Sequence, residues 1–218
     1  MSDSQTMTSD MSEAYPARLD VDYPEEGLSR VKTLFRIVLI IPIAIVAGLI
    51  TGYFGTVGLD DNEGWRELVA GGVLFVPTLL MILFRRKYPR WWFNWNLEVS
   101  RFTTRVGAYL GLLREEYPST DEEQAVRLDL DYPDAGRDLN RWLPIVKWIL
   151  AIPHYIVLAI LGVGAILSVV IAWFAIIFTG RYPRRLFDYV VGVNRWGLRV
   201  WAYMWLLITD RYPPFSLK

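Results

Sequence analysis

Cysteine is absent from this chain of 218 residues, which removes disulfides, thiolate nucleophiles and cysteine-ligated zinc or iron–sulfur centres. There is one histidine, His154, so no second imidazole is available for a zinc site. No Gly-x-Ser-x-Gly turn, phosphate-binding loop or dinucleotide fingerprint occurs. Charge is balanced at 23 basic and 23 acidic residues, so bulk charge implies no nucleic-acid partner. Charge is also missing locally: residues 37–59, 68–84 and 148–180 contain no Asp, Glu, Lys or Arg. Coupled transporters and proton pumps usually carry such groups inside their spans, so this gap argues against that chemistry. Residues 1–14 are polar, lack the apolar run of a secretory signal, and read as a disordered tail.

The composition is otherwise rich in apolar residues, at 53% of the chain, with ten tryptophans. Apolar runs of about 18 or more residues indicate helices able to cross the roughly 30 Å hydrocarbon core of a membrane. The sequence therefore predicts a mainly α integral membrane protein. Spans are expected at about 31–53, 68–84, 142–161 and 164–180. The last two come from dividing one apolar stretch near Gly162-Val163-Gly164. A single helix of its 33 residues would be about 50 Å long, too long for a bilayer without steep tilt. A membrane-embedded hairpin that does not fully cross is the alternative. An acidic loop is expected over 55–67. Lys and Arg cluster on the outer flanks of both hairpins, which predicts a multi-pass protein of the inner (cell) membrane with both termini cytoplasmic.

The sequence is also written twice. Residues 17–24, Ala-Arg-Leu-Asp-Val-Asp-Tyr-Pro, return at 126–133 as Val-Arg-Leu-Asp-Leu-Asp-Tyr-Pro. Lys87-Tyr88-Pro89-Arg90 returns as Arg181-Tyr182-Pro183-Arg184. Such self-similarity predicts a tandem duplication, with repeats over 15–118 and 125–218 joined by a linker at 119–124. Each copy opens on a period-two stretch ended by proline, which reads as a short strand that could pair with its counterpart. Each copy closes on an amphipathic segment, about 91–113 and 185–208. There, Asn94, Glu98, Arg101 and Arg105 form one helical stripe, with Asp188, Gly192, Arg195 and Arg199 at the same spacing in the second copy. Trp91, Trp95, Phe102, Tyr109 and Tyr189, Trp196, Tyr203 lie opposite. An Arg stripe backed by aromatics suits a helix lying at the headgroup level. Such a helix could also pack its aromatic face on the protein's own spans, and a third span is the alternative.

Ala-Ile-Pro-His-Tyr-Ile-Val at 151–157, Phe178-Thr-Gly-Arg-Tyr-Pro183, Asn194-Arg-Trp-Gly-Leu-Arg199 and Thr209-Asp-Arg-Tyr-Pro-Pro-Phe215 resemble the bacterial membrane family catalogued as domain of unknown function 4389. The resemblance extends over 15–217 as two tandem copies, the first departing at Ile41-Pro42-Ile43 and at Arg114-Glu-Glu-Tyr-Pro118. It implies a membrane protein and carries no activity.

No catalytic residue, cofactor or metal is expected. Arg85, Arg86, Lys87, Arg101, Arg105, Arg184, Arg185, Arg195 and Arg199 are the candidate contacts to lipid headgroups. His154 is a possible polar site within the membrane. Asp20, Asp22, Asp129 and Asp131 could form an oxygen-rich cation site if the strands pair, though arginine-neutralised surface acids are the simpler reading. The expected role is a non-enzymatic accessory or scaffold component engaging anionic lipid at the cytoplasmic face. Its partners would be membrane lipids and other membrane proteins or further copies of itself. A small transporter or lipid-moving subunit acting as an oligomer is the alternative.

Overall fold

A computed structural model describes residues 15–51, 76–120 and 122–218. The tail at 1–14, the acidic loop at 55–67 and the expected beginning of the second span at 68–75 lie outside the described residues. The elements in chain order are β1 (Ala17–Val21), α1 (Arg30–Thr51), α2 (Val76–Arg85), α3 (Arg90–Leu110), β2 (Val126–Leu130), α4 (Leu143–Thr179) and α5 (Arg184–Met204).

The alternating stretches form the strands. β1 buries Ala17, Leu19 and Val21 while Arg18 and Asp20 face out, and β2 repeats that pattern. The two pair antiparallel about Leu19↔Leu128, so Arg18 opposes Asp129 and Asp20 opposes Arg127. The prolines of Tyr88-Pro89 and Tyr182-Pro183 stand just before α3 and α5 in extended backbone, where a missing N–H costs nothing.

α4 differs from the expectation. Instead of two helices turning at Gly162–Gly164, residues 143–179 form one continuous helix, about 55 Å long at 1.5 Å per residue. Glycine inside a helix costs only about 1 kcal/mol relative to alanine and does not by itself create a turn. Here Gly164 serves packing: a Cβ at that position would stand 2.5 Å from the Tyr189 hydroxyl oxygen. That hydroxyl donates to the Leu161 carbonyl at 2.9 Å. Of the second expected span, the described part is α2, an apolar helix of about 15 Å. α1 bends by 50° between Arg30–Arg36 and Val38–Gly48. The bend lies about one turn before Pro42, whose missing N–H leaves the Val38 carbonyl without its helical donor. Among the described residues, α4 alone is long and apolar enough to cross a membrane, and the two arms of α1 meet that standard only together. Four spans are not found among the described residues.

The elements stack in three layers: the strand ribbon, then α3 and α5, then the apolar helices α1, α2 and α4. Along β1, Tyr15 donates to the Arg199 carbonyl (3.3 Å), Leu19 accepts from Arg195 (3.0 Å) and Tyr23 packs edge-on against Phe187 (5.0 Å). On its other side α5 meets α4 through Tyr189, Trp196 and Tyr203. β1, α5 and α4 therefore run alongside one another.

α3 holds β2 in the same way. Arg101 donates to the Leu128 carbonyl (2.9 Å), and Phe93 meets Tyr132 edge-on (5.2 Å). Other contacts also occur in pairs. The Tyr23 hydroxyl donates to the Tyr182 carbonyl and that of Tyr132 to the Tyr88 carbonyl. Arg184 lies over the Tyr23 ring and Arg90 over the Tyr132 ring, each at 4.9 Å. α2 and α4 end on left-handed residues, Arg86 at φ 49° and Gly180 at φ 75°, whose N–H groups close the helices on Ile82 and Ile176.

Candidate lipid-facing surface

The outer layer exposes apolar side chains where a soluble protein would bury them. On α4, Ile149, Ile156, Ile160, Val163, Ile166 and Phe178 are all more than half exposed. Only 11% of its most apolar 18-residue stretch is buried. Phe35, Val38 and Ile41 on α1 and Phe84 on α2 extend this surface. A contiguous apolar face of this extent marks an interaction surface. Exposed tryptophans lie at its margins: Trp142 before α4, Trp91 at the start of α3 and Trp201 near the end of α5. Their amphipathic rings suit the level between water and hydrocarbon.

The basic candidates separate into two groups. Arg85, Arg86, Lys87 and Arg185 are exposed, as is Arg184, which pairs with Glu25 at 3.4 Å. The four arginines of the helical stripes are half-buried and face inward. Arg101 holds Leu128 O and pairs with Glu98 (2.8 Å) and Asp129 (3.0 Å). Arg105 donates to Ser119 O (2.7 Å), Arg195 to Leu19 O, and Arg199 to the carbonyls of Ser216 and Lys218. A guanidinium presents its donors as a fixed fork, which lets one side chain hold several carbonyl and carboxylate oxygens at once. α3 and α5 thus turn their Arg stripe to the ribbon and the terminal segments. Their aromatic stripe turns mainly to the apolar helices. They form a middle layer that packs on the protein's own helices.

The four acids are likewise engaged. Asp131 pairs with Arg18 at 2.6 Å, Asp20 and Asp22 with Arg127 at 3.0 and 2.8 Å, and Asp129 with Arg101. The pairs made by Arg18 and Arg127 link the two strands across the ribbon's solvent face, and that of Arg101 ties β2 to α3. Among the described residues, no group of three or more His, Cys, Asp or Glu is arranged to hold a metal ion.

His154 is fully buried. Its Nδ1 accepts from the Trp196 indole at 3.2 Å, and its ring stacks on Phe215 at 4.1 Å. An accepting Nδ1 puts the proton of a neutral imidazole on Nε2, which is buried without a hydrogen-bond partner. The histidine ties the C-terminal segment and α5 to α4.

Two further residues were read in the sequence only as flanking charges. Lys147 is fully buried, 2.7 Å from both Asp210 and the Thr209 carbonyl, with its ammonium 4.8 Å from the Tyr203 ring. Arg36 is its counterpart on α1, donating to the Tyr109 carbonyl at 3.0 Å with its guanidinium 4.5 Å above that ring. Arg36 satisfies a carbonyl in the last turn of α3, at the negative end of the helix dipole, whereas Lys147 binds the segment just beyond α5. Each also has an acid in the segment that follows, Glu115 or Asp210. That spacing is the signal a sequence reading could have used. Burial also pushes the hydroxyls of Tyr88 and Tyr182 well above the usual tyrosine range.

The described residues thus make a mainly helical protein with a large apolar face, carried by a helix long enough to cross a membrane. Residues 141–216 match the family model described as Domain of unknown function (DUF4389). That match takes in α4, α5 and the C-terminal segment; the earlier residues lie outside it, so one copy is found rather than two. No curated protein and no solved structure matches the chain.

Proposed function

We propose that this is a membrane-resident, non-enzymatic accessory or scaffold protein whose exposed basic residues engage anionic lipid headgroups. The observation that carries this reading is the exposure of α4: a helix of such hydropathy buried in a soluble core would not leave most of its circumference open. The sequence repeat and the paired contacts to β1 and β2 further support an origin by tandem duplication. The Lys and Arg clusters favour a cytoplasmic position for the ribbon and for both termini.

Arg85, Lys87 and Arg185 carry the headgroup role in this reading, because they are exposed and, among the described residues, make no carbonyl contact like those of Arg101, Arg105, Arg195 and Arg199. A basic residue near an anionic membrane surface contributes about 1 kcal/mol, so neutralising three weakens the interaction by about 3 kcal/mol at most. The test has two arms. Membranes carrying the protein are washed with alkaline carbonate, and the protein should stay with the lipid. Detergent-purified protein is then titrated with phosphatidylglycerol or phosphatidylcholine and read by native mass spectrometry. The anionic lipid should bind preferentially, and Arg85→Gln/Lys87→Gln/Arg185→Gln should reduce that preference at least tenfold. Release into the wash would end the membrane reading. Equal binding of both lipids would end the headgroup reading.

A further inference from the structure

We infer that α4 lies in the plane of the membrane, within one leaflet, and that the molecule is a slab resting on lipid rather than a bundle threaded through it. This rests on the membrane reading above and concerns how the protein sits there. α4 is buried on one side along nearly its whole length, through Lys147, Ala151, His154, Ser168, Ala172 and Ile176. Those positions span 30 residues, about 45 Å, against a hydrocarbon core of roughly 30 Å. They fall in two groups, 147–154 and 168–176, and between them the half-buried Leu161 and Gly164 lie under Tyr189, so the gap of about 20 Å is neither bare nor long enough to cross alone.

What covers the stripe decides its orientation. α5 runs beside α4, and β1 runs beside α5. A crossing α4 would carry both to the same depth. That would place Asp188, Arg195 and Arg199 of α5 in hydrocarbon, together with the exposed Arg18, Asp20, Arg127 and Asp129 of a two-stranded ribbon. Charges at such depth are strongly disfavoured, and an open sheet edge does not occur facing lipid. Both ends of α4 also return to the polar side. Near its start Lys147 pairs with Asp210, and just past its end the Gly180 carbonyl accepts from Leu28 N–H at 2.8 Å. α1 packs in the same layer, where the Trp173 indole donates to the Thr33 carbonyl at 3.2 Å.

The opposite side of α4 is uncharged from Trp148 to Phe178. Trp142 stands at one end of it and the exposed Arg181 and Arg185 at the other. An apolar face with a polar back and basic residues at its end fits one leaflet with anionic headgroups.

The absence of native cysteine makes the test direct. Single-cysteine variants Arg137→Cys and Arg181→Cys flank α4, and Asp20→Cys reports the ribbon. In sealed phosphatidylglycerol/phosphatidylethanolamine vesicles, a membrane-impermeant maleimide should label all three from the same side. A fluorophore on Val163→Cys should be quenched best by shallow nitroxide lipids, at the same depth as on Ile149→Cys and Phe174→Cys. Labelling of positions 137 and 181 from opposite sides would overturn the inference in favour of a crossing helix. Same-side labelling with position 163 much deeper than 149 and 174 would overturn it in favour of a hairpin. Either result leaves the membrane reading intact, whereas release of the unmodified protein by carbonate would remove that reading first.

Discussion

Alanine at position 162 and alanine at position 164 should move stability in opposite directions. Both glycines lie inside α4, where replacing glycine by alanine reduces the freedom of the unfolded chain and gains about 0.5–1 kcal/mol if the new methyl has room. At Gly162 it does, since a Cβ there meets nothing within 4 Å. At Gly164 the Cβ would stand 2.5 Å from the Tyr189 hydroxyl oxygen and 3.3 Å from its ring carbon. Tyr189 must then move, giving up its bond to Leu161 O, worth about 0.5–1.5 kcal/mol. It also incurs overpacking strain of about 1–3 kcal/mol. Net of the propensity gain, Gly164→Ala should destabilise by about 0.5–4 kcal/mol while Gly162→Ala stabilises by about 0.5–1 kcal/mol. Tyr189→Phe removes the clashing oxygen, so Gly164→Ala added to it should cost little. The coupling between the two sites would be of the size of that cost, about 0.5–3 kcal/mol. Equilibrium unfolding in mixed detergent micelles, followed by tryptophan fluorescence, measures all five proteins. If Gly162→Ala destabilised as much as Gly164→Ala, with no coupling to Tyr189, residues 162–164 would be a turn and the continuous helix would be wrong.

Asp210→Asn should cost about 3 kcal/mol in the same unfolding assay, because it leaves the buried Lys147 ammonium without its counter-charge. Adding Lys147→Met should recover most of that loss; an Asp210→Asn protein as stable as the parent would refute the anchoring role. Arg86→Gly should gain about 0.5–1 kcal/mol by relieving a left-handed residue at the end of α2, where α4 already has Gly180. A loss of stability there would mean that the Arg86 side chain makes contacts that outweigh the backbone strain.

The strands were legible because alternation is a local property: Arg-Leu-Asp at 18–20 and 127–129 dictates which side is buried whatever lies above it. α3 and α5 were legible for the same reason, from the four-residue spacing of Arg101/Arg105 and Arg195/Arg199. What those arginines bind was not, because a guanidinium is equally suited to a phosphate and to a strand carbonyl far along the chain. The long helix was misread at Gly162 and Gly164, where composition suggests a turn and the deciding contact is the Tyr189 hydroxyl, 25 residues on. His154 shows the same limit. A lone histidine in an apolar run says nothing about Trp196 and Phe215, which enclose it.

The grip of each middle-layer helix on a strand is crossed between the two halves of the chain. Arg195 of the second half holds Leu19 of the first, and Arg101 of the first holds Leu128 of the second. Neither half therefore closes on itself. A fragment limited to residues 141–216 would carry α5 with no strand to grip, leaving Arg195 without Leu19 O and Phe187 without Tyr23. A chain built from one strand, one apolar helix and one middle helix could satisfy these bonds only by exchanging strands with a twin across a two-fold axis. Joining both halves in one polypeptide makes that exchange intramolecular, so the ribbon closes at any protein concentration.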